Sequence, residues 1–192
     1  MAIQHPTQII KSQDTIVYVG ALSGATRPAI TPATAGALSR PTSGVPAAMY
    51  FLGGVTNASV AFNDGETEYY LLGNGGFADG VKVTQRCQAS ITSYFQKDVD
   101  GSQIDPTQYD EAMDLVLRGR TEKDFELYVE IFKFLGGQTY DLTCFAATVM
   151  NYNESYPADN LVETTFDLMS RGTYGAGRCT ISGALIPTNP NS

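Results

Sequence analysis

Few residues in this chain combine the type and spacing that catalysis or metal binding needs. The only histidine is His5. A Ser-His or Cys-His nucleophile would depend on that residue, close to a terminus where chains fray. Cys87, Cys144 and Cys179 are widely spaced, odd in number and form no CxxC pair, so neither a zinc site nor a disulfide framework is indicated. They read as free thiols of a reducing compartment, with Cys87 and Cys144 inside strand-like runs as small buried hydrophobes. Asp98, Asp100, Ser102 and Asp105 begin like a calcium loop, but Gln103 and Tyr109 stand where that loop wants Gly and Glu. A turn leading into a capped helix accounts for the same residues. Gly73-Asn74-Gly75-Gly76 offers flexible backbone, yet no Lys-Ser/Thr follows to hold phosphate. GxSxG, HExxH and Walker patterns are absent from the sequence. Paired carboxylates of the glycosidase kind stay open, since acids abound, but there is no Trp to offer a sugar platform. The sequence thus predicts no catalytic, cofactor or metal site.

A scaffold of 192 residues with 43% hydrophobic content suffices for one domain with a real core. No window approaches the eighteen apolar residues of a spanning helix, and MAIQHPTQIIKSQDT lacks the pattern of an ordinary secretory signal. No membrane partner is expected. The net charge of −8 disfavours binding of nucleic acid through its phosphates. That charge is uneven. Residues 63–170 hold nineteen acids and seven bases, a net −12, while the flanks hold Lys11, Arg27, Arg40, Arg171 and Arg178 against Asp14 alone, a net +4. In an assembly this asymmetry would pair the ends of one subunit with the body of the next.

The element order is several strands, one helix, then more strands. Residues 14–19 read as a strand. Residues 20–47 are rich in Gly, Pro, Ala, Ser and Thr, with Arg27 and Arg40 as their only charges. The prolines forbid a helix or a central strand, so the segment reads as an arm that gains order on a partner surface. Two short strands around Asn63-Asp64-Gly65-Glu66 predict a hairpin. Residues 81–95 alternate with Cys87, Ala89 and Ile91 on one face. A helix is predicted over about 105–118, capped by Asp105 and Pro106, with Ala112, Met113 and Val116 on its apolar stripe and Gly119 as its C-cap. In residues 124–134, Phe125, Leu127, Val129 and Ile131 oppose Glu126, Tyr128 and Glu130. Residues 140–152 follow, and the run CFAATVM is apolar on both faces, which requires cover on both sides. The second cover is assigned to another subunit, making Phe145, Val149 and Met150 a candidate inter-subunit strand. Residues 161–169 alternate Phe166 and Leu168 against Glu163, Thr165 and Asp167. A last short strand is expected within 175–186. The fold class is mainly β: a small antiparallel sandwich or roll with one flanking helix. It is read as one domain over 1–192, with a terminal arm 1–13, the extended loop 20–47 and a tail 187–192.

From Val81 to Tyr174 this order resembles a phage tail tube protein. The carrying segments are QRCQASITSYFQ, DPTQYDEAMDLVL, DFELYVEIFKF and TCFAATVMNYNESYPADNLVETTFDLMSRGTYG, with a Pro-containing acidic loop and the Arg171-Gly172 dipeptide. The resemblance covers half the chain firmly and has no catalytic signature. It implies subunits joined sheet to sheet into rings, usually of six, that stack into a tube for DNA in a virion tail made in the host cytoplasm. The implied partners are other copies of the chain, tape measure, baseplate or tail tip and terminator proteins, and a sheath if the tail contracts. DNA would pass the lumen without specific binding, since an acidic wall repels phosphate. Glu126, Glu130, Glu163 and Asp167 are the candidate lumen acids, and Arg27 and Arg40 would reach a neighbour's acidic body. The alternatives are the tube of a contractile bacteriocin or type VI secretion system, or a capsid decoration or head-completion protein.

Overall fold

The computed structural model describes residues 15–22, 26–31, 36–70, 78–94, 109–157 and 162–181. Among these residues seven strands and one helix follow in the order β1 (Thr15–Ala21), β2 (Tyr50–Phe51), β3 (Val55–Tyr70), β4 (Ala78–Tyr94), α1 (Tyr109–Thr121), β5 (Leu127–Gly136), β6 (Thr139–Ser155) and β7 (Glu163–Thr180). They form one sheet in the order β2-β1-β5-β6-β7-β4-β3, antiparallel throughout. The mainly β class and the flanking helix are as the sequence predicts.

Several boundaries differ, each for a physical reason. Asn63-Asp64-Gly65-Glu66 is not a turn. It lies inside β3, where a register shift between Gly65 and Glu66 marks a bulge, the irregularity a glycine in a strand permits. The expected strand at 161–169 and the last short strand are one strand, β7. At its middle, Arg171, Gly172 and Thr173 stand opposite Ala146 alone. Gly172, with φ of 84°, takes the left-handed conformation this bulge needs. Gly119 does not end the helix but lies within it. A Cβ there would sit 2.6 Å from Val149 Cγ2, so this glycine lets α1 lie close on β6. The proposed caps Asp105 and Pro106, His5, the 98–105 acids, the Gly73–Gly76 turn, the terminal arm 1–13 and the tail 187–192 fall outside the described residues.

Strand periodicity sends alternate side chains to opposite faces. On one face Val17, Val129, Phe145, Ala147, Phe166 and Leu168 pack beneath α1, which contributes Ala112, Met113 and Val116. On the other, Tyr128, Phe132, Leu142, Cys144 and Cys179 pack beneath the loop between β1 and β2, through Leu22, Ile30, Leu38 and Val45. The two-sided cover that CFAATVM demands is therefore internal. α1 covers Phe145 and Val149, and the chain's own arm covers Cys144 and Ala146. This corrects the assignment of the second cover to another subunit. Phe145 is fully buried and Val149 nearly so, while Met150 remains 44% exposed.

Candidate functional site, an arm-clamped face and an open polar strip

The arm reaches the sheet through specific joints. Leu38 N–H donates to the Arg178 carbonyl and Arg178 N–H to the Gly36 carbonyl, each at 2.7 Å. This makes a short parallel bridge along β7. Gly175 allows the approach, because a Cβ there would meet Ile30 Cγ2 at 2.9 Å and Leu38 Cδ1 at 3.0 Å. Two arginines then lock the arm to β5. Arg27 forms a fork on Glu126, with Nε 2.8 Å and Nη2 2.7 Å from its oxygens, and Arg171 from the β7 bulge joins the same carboxylate at 3.2 Å. Arg40 forms a second fork on Glu130 at 3.0 and 2.7 Å and lies 5.3 Å from the centre of the Phe132 ring. The Tyr128 hydroxyl donates to Glu130 as well.

These joints correct two expectations. Arg27 and Arg40 meet acids of their own chain, not of a neighbour. The Glu130 side chain has no exposed surface, so it cannot line a lumen; a fully desolvated carboxylate persists because its charge and lone pairs are matched. Glu126 is 14% exposed and held by two half-exposed guanidiniums. Its carboxyl is pulled below the usual range, first by the Arg27 hydrogen bonds and then by Arg171. Alternation in residues 124–134 puts these acids, one just before β5 and one within it, on one polar face but carries no sign of what covers that face. Arg171 was missed as a partner, although its place beside Gly172 was the one signal pointing to a bulge.

The other two acids have a different setting. Glu163 and Asp167 lie on β7 where it pairs with β4, alongside Ser90 and Thr92, and both are part exposed. Asp167 accepts hydrogen bonds from the Ser90 hydroxyl and from Asn151 Nδ2, which hold its carboxyl below the usual range. Asn151, at a left-handed φ of 50°, sits where β6 places two residues opposite one of β7. The result is an open polar strip beside the arm-covered region of the same face.

Beyond this strip the sheet forks. β3 and β4 stay paired from Val55 and Ser93 to Tyr70 and Ala78, but β4 joins β7 only over Gln88–Tyr94. Residues 78–87 of β4 therefore leave β7 as one strand of a two-stranded ribbon. A cleft of about 630 Å³ opens between ribbon and β7, lined by Thr84, Arg86, Ser170 and Tyr174 among others. Phe62 of the ribbon reaches across to Tyr174 with ring centres 5.3 Å apart. Burial pushes the Cys87 and Cys144 thiols up to about 12, so both stay protonated at neutral pH and are poor nucleophiles. Among the described residues no group of His, Cys, Asp and Glu could hold a metal ion.

No family profile matches this sequence, and no curated protein is similar to it. Solved structures are similar in shape. A chain of the SPP1 tail tube superposes with a TM-score of 0.56 at 12% identity, over 92% of this chain and 83% of that one. A chain from the tail of an empty gene transfer agent (GTA) particle, refined with C6 symmetry, superposes at 0.51 with 10% identity, over 85% and 96%. The fold is that of a tail tube chain. At such identities the likeness speaks for the fold.

Proposed function

We propose that this chain is a tail tube subunit that assembles into rings, and the rings into a tube through which DNA passes. The observation that carries the reading is the β3–β4 ribbon. Two antiparallel strands alone are marginal in water, and residues 62–70 and 78–87 continue as a ribbon past the last pairing with β7. Among the described residues the outer edge of β3 is also an edge of the sheet, and an open edge is a template for pairing with another chain. A neighbouring copy that covers the ribbon and continues the sheet answers both needs, and repetition of that step closes a ring.

The polar strip of Glu163 and Asp167 supplies a surface suited to the lumen. Fixed carboxylates repel phosphate, so the nucleic acid slides and does not adhere. Glu126 and Glu130 have no part in that wall, being held by arginines of the arm. A subunit of this kind would meet tape measure, tip and terminator proteins at the ends of the tube.

Light scattering and negative-stain microscopy test the reading. The purified protein is expected to form rings or tubes at high concentration. A variant with residues 66–82 replaced by a short turn is expected to stay folded and monomeric. A wild-type protein that remains a monomer at every concentration and salt overturns it.

A further inference from the structure

Five large hydrophobic side chains stand exposed among the described residues: Phe62, Phe134, Leu135, Met150 and Tyr156. Phe62 packs on Tyr174. The other four divide between the two ends of β6. Phe134 and Leu135, 39% and 38% exposed, form the tip of the β5–β6 hairpin, which turns at Gly136 and Gly137 with positive φ. Met150 and Tyr156, 44% and 70% exposed, lie in the opposite end of the strand and just past it, where β6 emerges from the core. Roughly 3.3 Å per residue puts Met150 about 36 Å, and the end of β6 about 50 Å, from the tip along the strand.

Charge separates the same two ends. Beside the tip, Lys133 and Arg178 flank Asp141, which bonds Lys133 at 2.7 Å and stands opposite Arg178 in the β6–β7 ladder. At the far end Glu154, Glu163 and Asp167 outnumber Arg120, whose guanidinium lies 4.9 Å from the centre of the Tyr152 ring. Tyr152 and Tyr156 both donate their hydroxyls to Glu154. One end is thus apolar and basic in balance, the other apolar and acidic.

We propose that the β5–β6 hairpin tip of one copy docks on the Met150–Tyr156 end of β6 in the next copy, and that this contact joins successive rings. The inference rests on the tube reading and names the residues of its axial contact. Two different patches on one molecule can form a heterologous, head-to-tail contact, which builds an open stack where its rotation does not close. Apolar side chains in each patch supply burial, and the opposed charges set the polarity of stacking.

The test compares wild type with Leu135→Asp and Met150→Asp, and adds a crosslinking pair. Both aspartate variants alter exposed positions and are expected to keep the wild-type circular dichroism and melting curve. Each should yield rings that do not elongate, with the critical concentration for tubes raised at least tenfold. L135C and M150C combined in one chain should give, on mild oxidation, a ladder of disulfide-linked multimers, whereas either alone should stay monomeric, its contact holding no second thiol and Cys87, Cys144 and Cys179 being buried. Tubes of unchanged length in both aspartate variants, or oxidised tubes without a ladder, overturn this contact while leaving the tube reading intact. Absence of any ring or tube from the wild type overturns the tube reading itself. Should an aspartate variant melt early, the ladder decides alone, since it uses an assembled, unperturbed tube.

Discussion

The two faces of the sheet are covered by opposite strategies. On one, α1 lays Ala112, Met113 and Val116 onto Phe145, Phe166 and Leu168, and apolar burial does nearly everything. On the other, an arm with little regular structure holds Leu38 and Ile30 against Tyr128, Phe132 and Leu142 and fastens itself with Arg27 and Arg40. A helix satisfies its own backbone and brings a finished surface. An arm without that internal ladder must borrow partners from the sheet, through the bridge at Ala37 and Arg178 and through the guanidinium forks. The helical cover rests mainly on shape, with Arg118 and Arg120 of α1 over the Phe125 and Tyr152 rings, whereas the arm needs shape, hydrogen bonds and charge matched together.

The largest expected effect comes from removing the arm. Deletion of residues 24–44 takes away Ile30, Leu38, Arg27 and Arg40 and exposes Tyr128, Phe132 and Leu142. Each such side chain is worth about 1.5–3 kcal/mol when buried, and a domain of this kind holds only about 5–15 kcal/mol in total. The deleted protein should show no cooperative melt by circular dichroism. A native-like melt would mean that the arm is dispensable to the subunit, as its composition alone suggested.

Next is the buried fork. Arg40→Ala leaves Glu130 charged and enclosed, at a cost of about 3–5 kcal/mol. Replacing both partners, R40M with E130L, removes the charge and its demand together, and stability should return to within about 1 kcal/mol of wild type. Urea unfolding of the two variants measures the difference. If the double variant is no better than Arg40→Ala, the stacking of the Arg40 guanidinium on Phe132 matters more than its pairing with Glu130.

The helix face has its own test in Gly119. Alanine in a helix interior normally stabilises by about 0.5–1 kcal/mol. Here its Cβ would lie 2.6 Å from Val149 Cγ2, and such overpacking costs about 1–3 kcal/mol. Gly119→Ala should therefore destabilise by about 1 kcal/mol, and G119A with V149A should recover part of it. A stabilised single variant would show that α1 can lift from β6 without penalty.

This contrast also explains what could be read from sequence. Period 2 in Leu127, Val129 and Ile131 and the helical spacing of Ala112, Met113 and Val116 are local signals, so the helix-covered face was legible. The apolar character of both faces of CFAATVM was equally legible, and rightly called for a second cover. What no local pattern carries is the identity of that cover. Arg40 and Glu130 are separated by ninety positions, and nothing in the spacing of Gly, Pro and Ser in the arm points to its own chain over a neighbour. The four candidate lumen acids divide for the same reason. Glu126, Glu130, Glu163 and Asp167 alternate identically in sequence, yet an arm lies over the first two and leaves the others open. Asn-Asp-Gly is turn chemistry wherever it occurs, so the sequence reads as a turn at Gly65, and only pairing to β4 on both sides of the bulge overrides it.

The smallest effect, and the sharpest separation of the two forks, belongs to Glu126. Its partners Arg27 and Arg171 are 44% and 50% exposed, so solvent weakens the attraction and an exposed pair contributes about 0–1 kcal/mol. Glu126→Gln should destabilise by no more than about 1 kcal/mol at neutral pH. The sign with pH follows from the lowered carboxyl. A group whose pKa falls on folding stabilises fully above its unfolded value, near the ordinary 4.5, and loses that contribution as pH drops through the lower folded value. The gap between wild type and Glu126→Gln should thus be constant from pH 7 to about 5 and close below about 4.5. About 1 M salt, with a screening length near 3 Å, should narrow it at neutral pH too. The cost of Arg40→Ala should barely respond to that salt, because the Glu130 carboxylate is out of reach of ions. If both costs fall equally with salt, the arm opens readily enough to wet Glu130, and the two forks differ in strength only by degree.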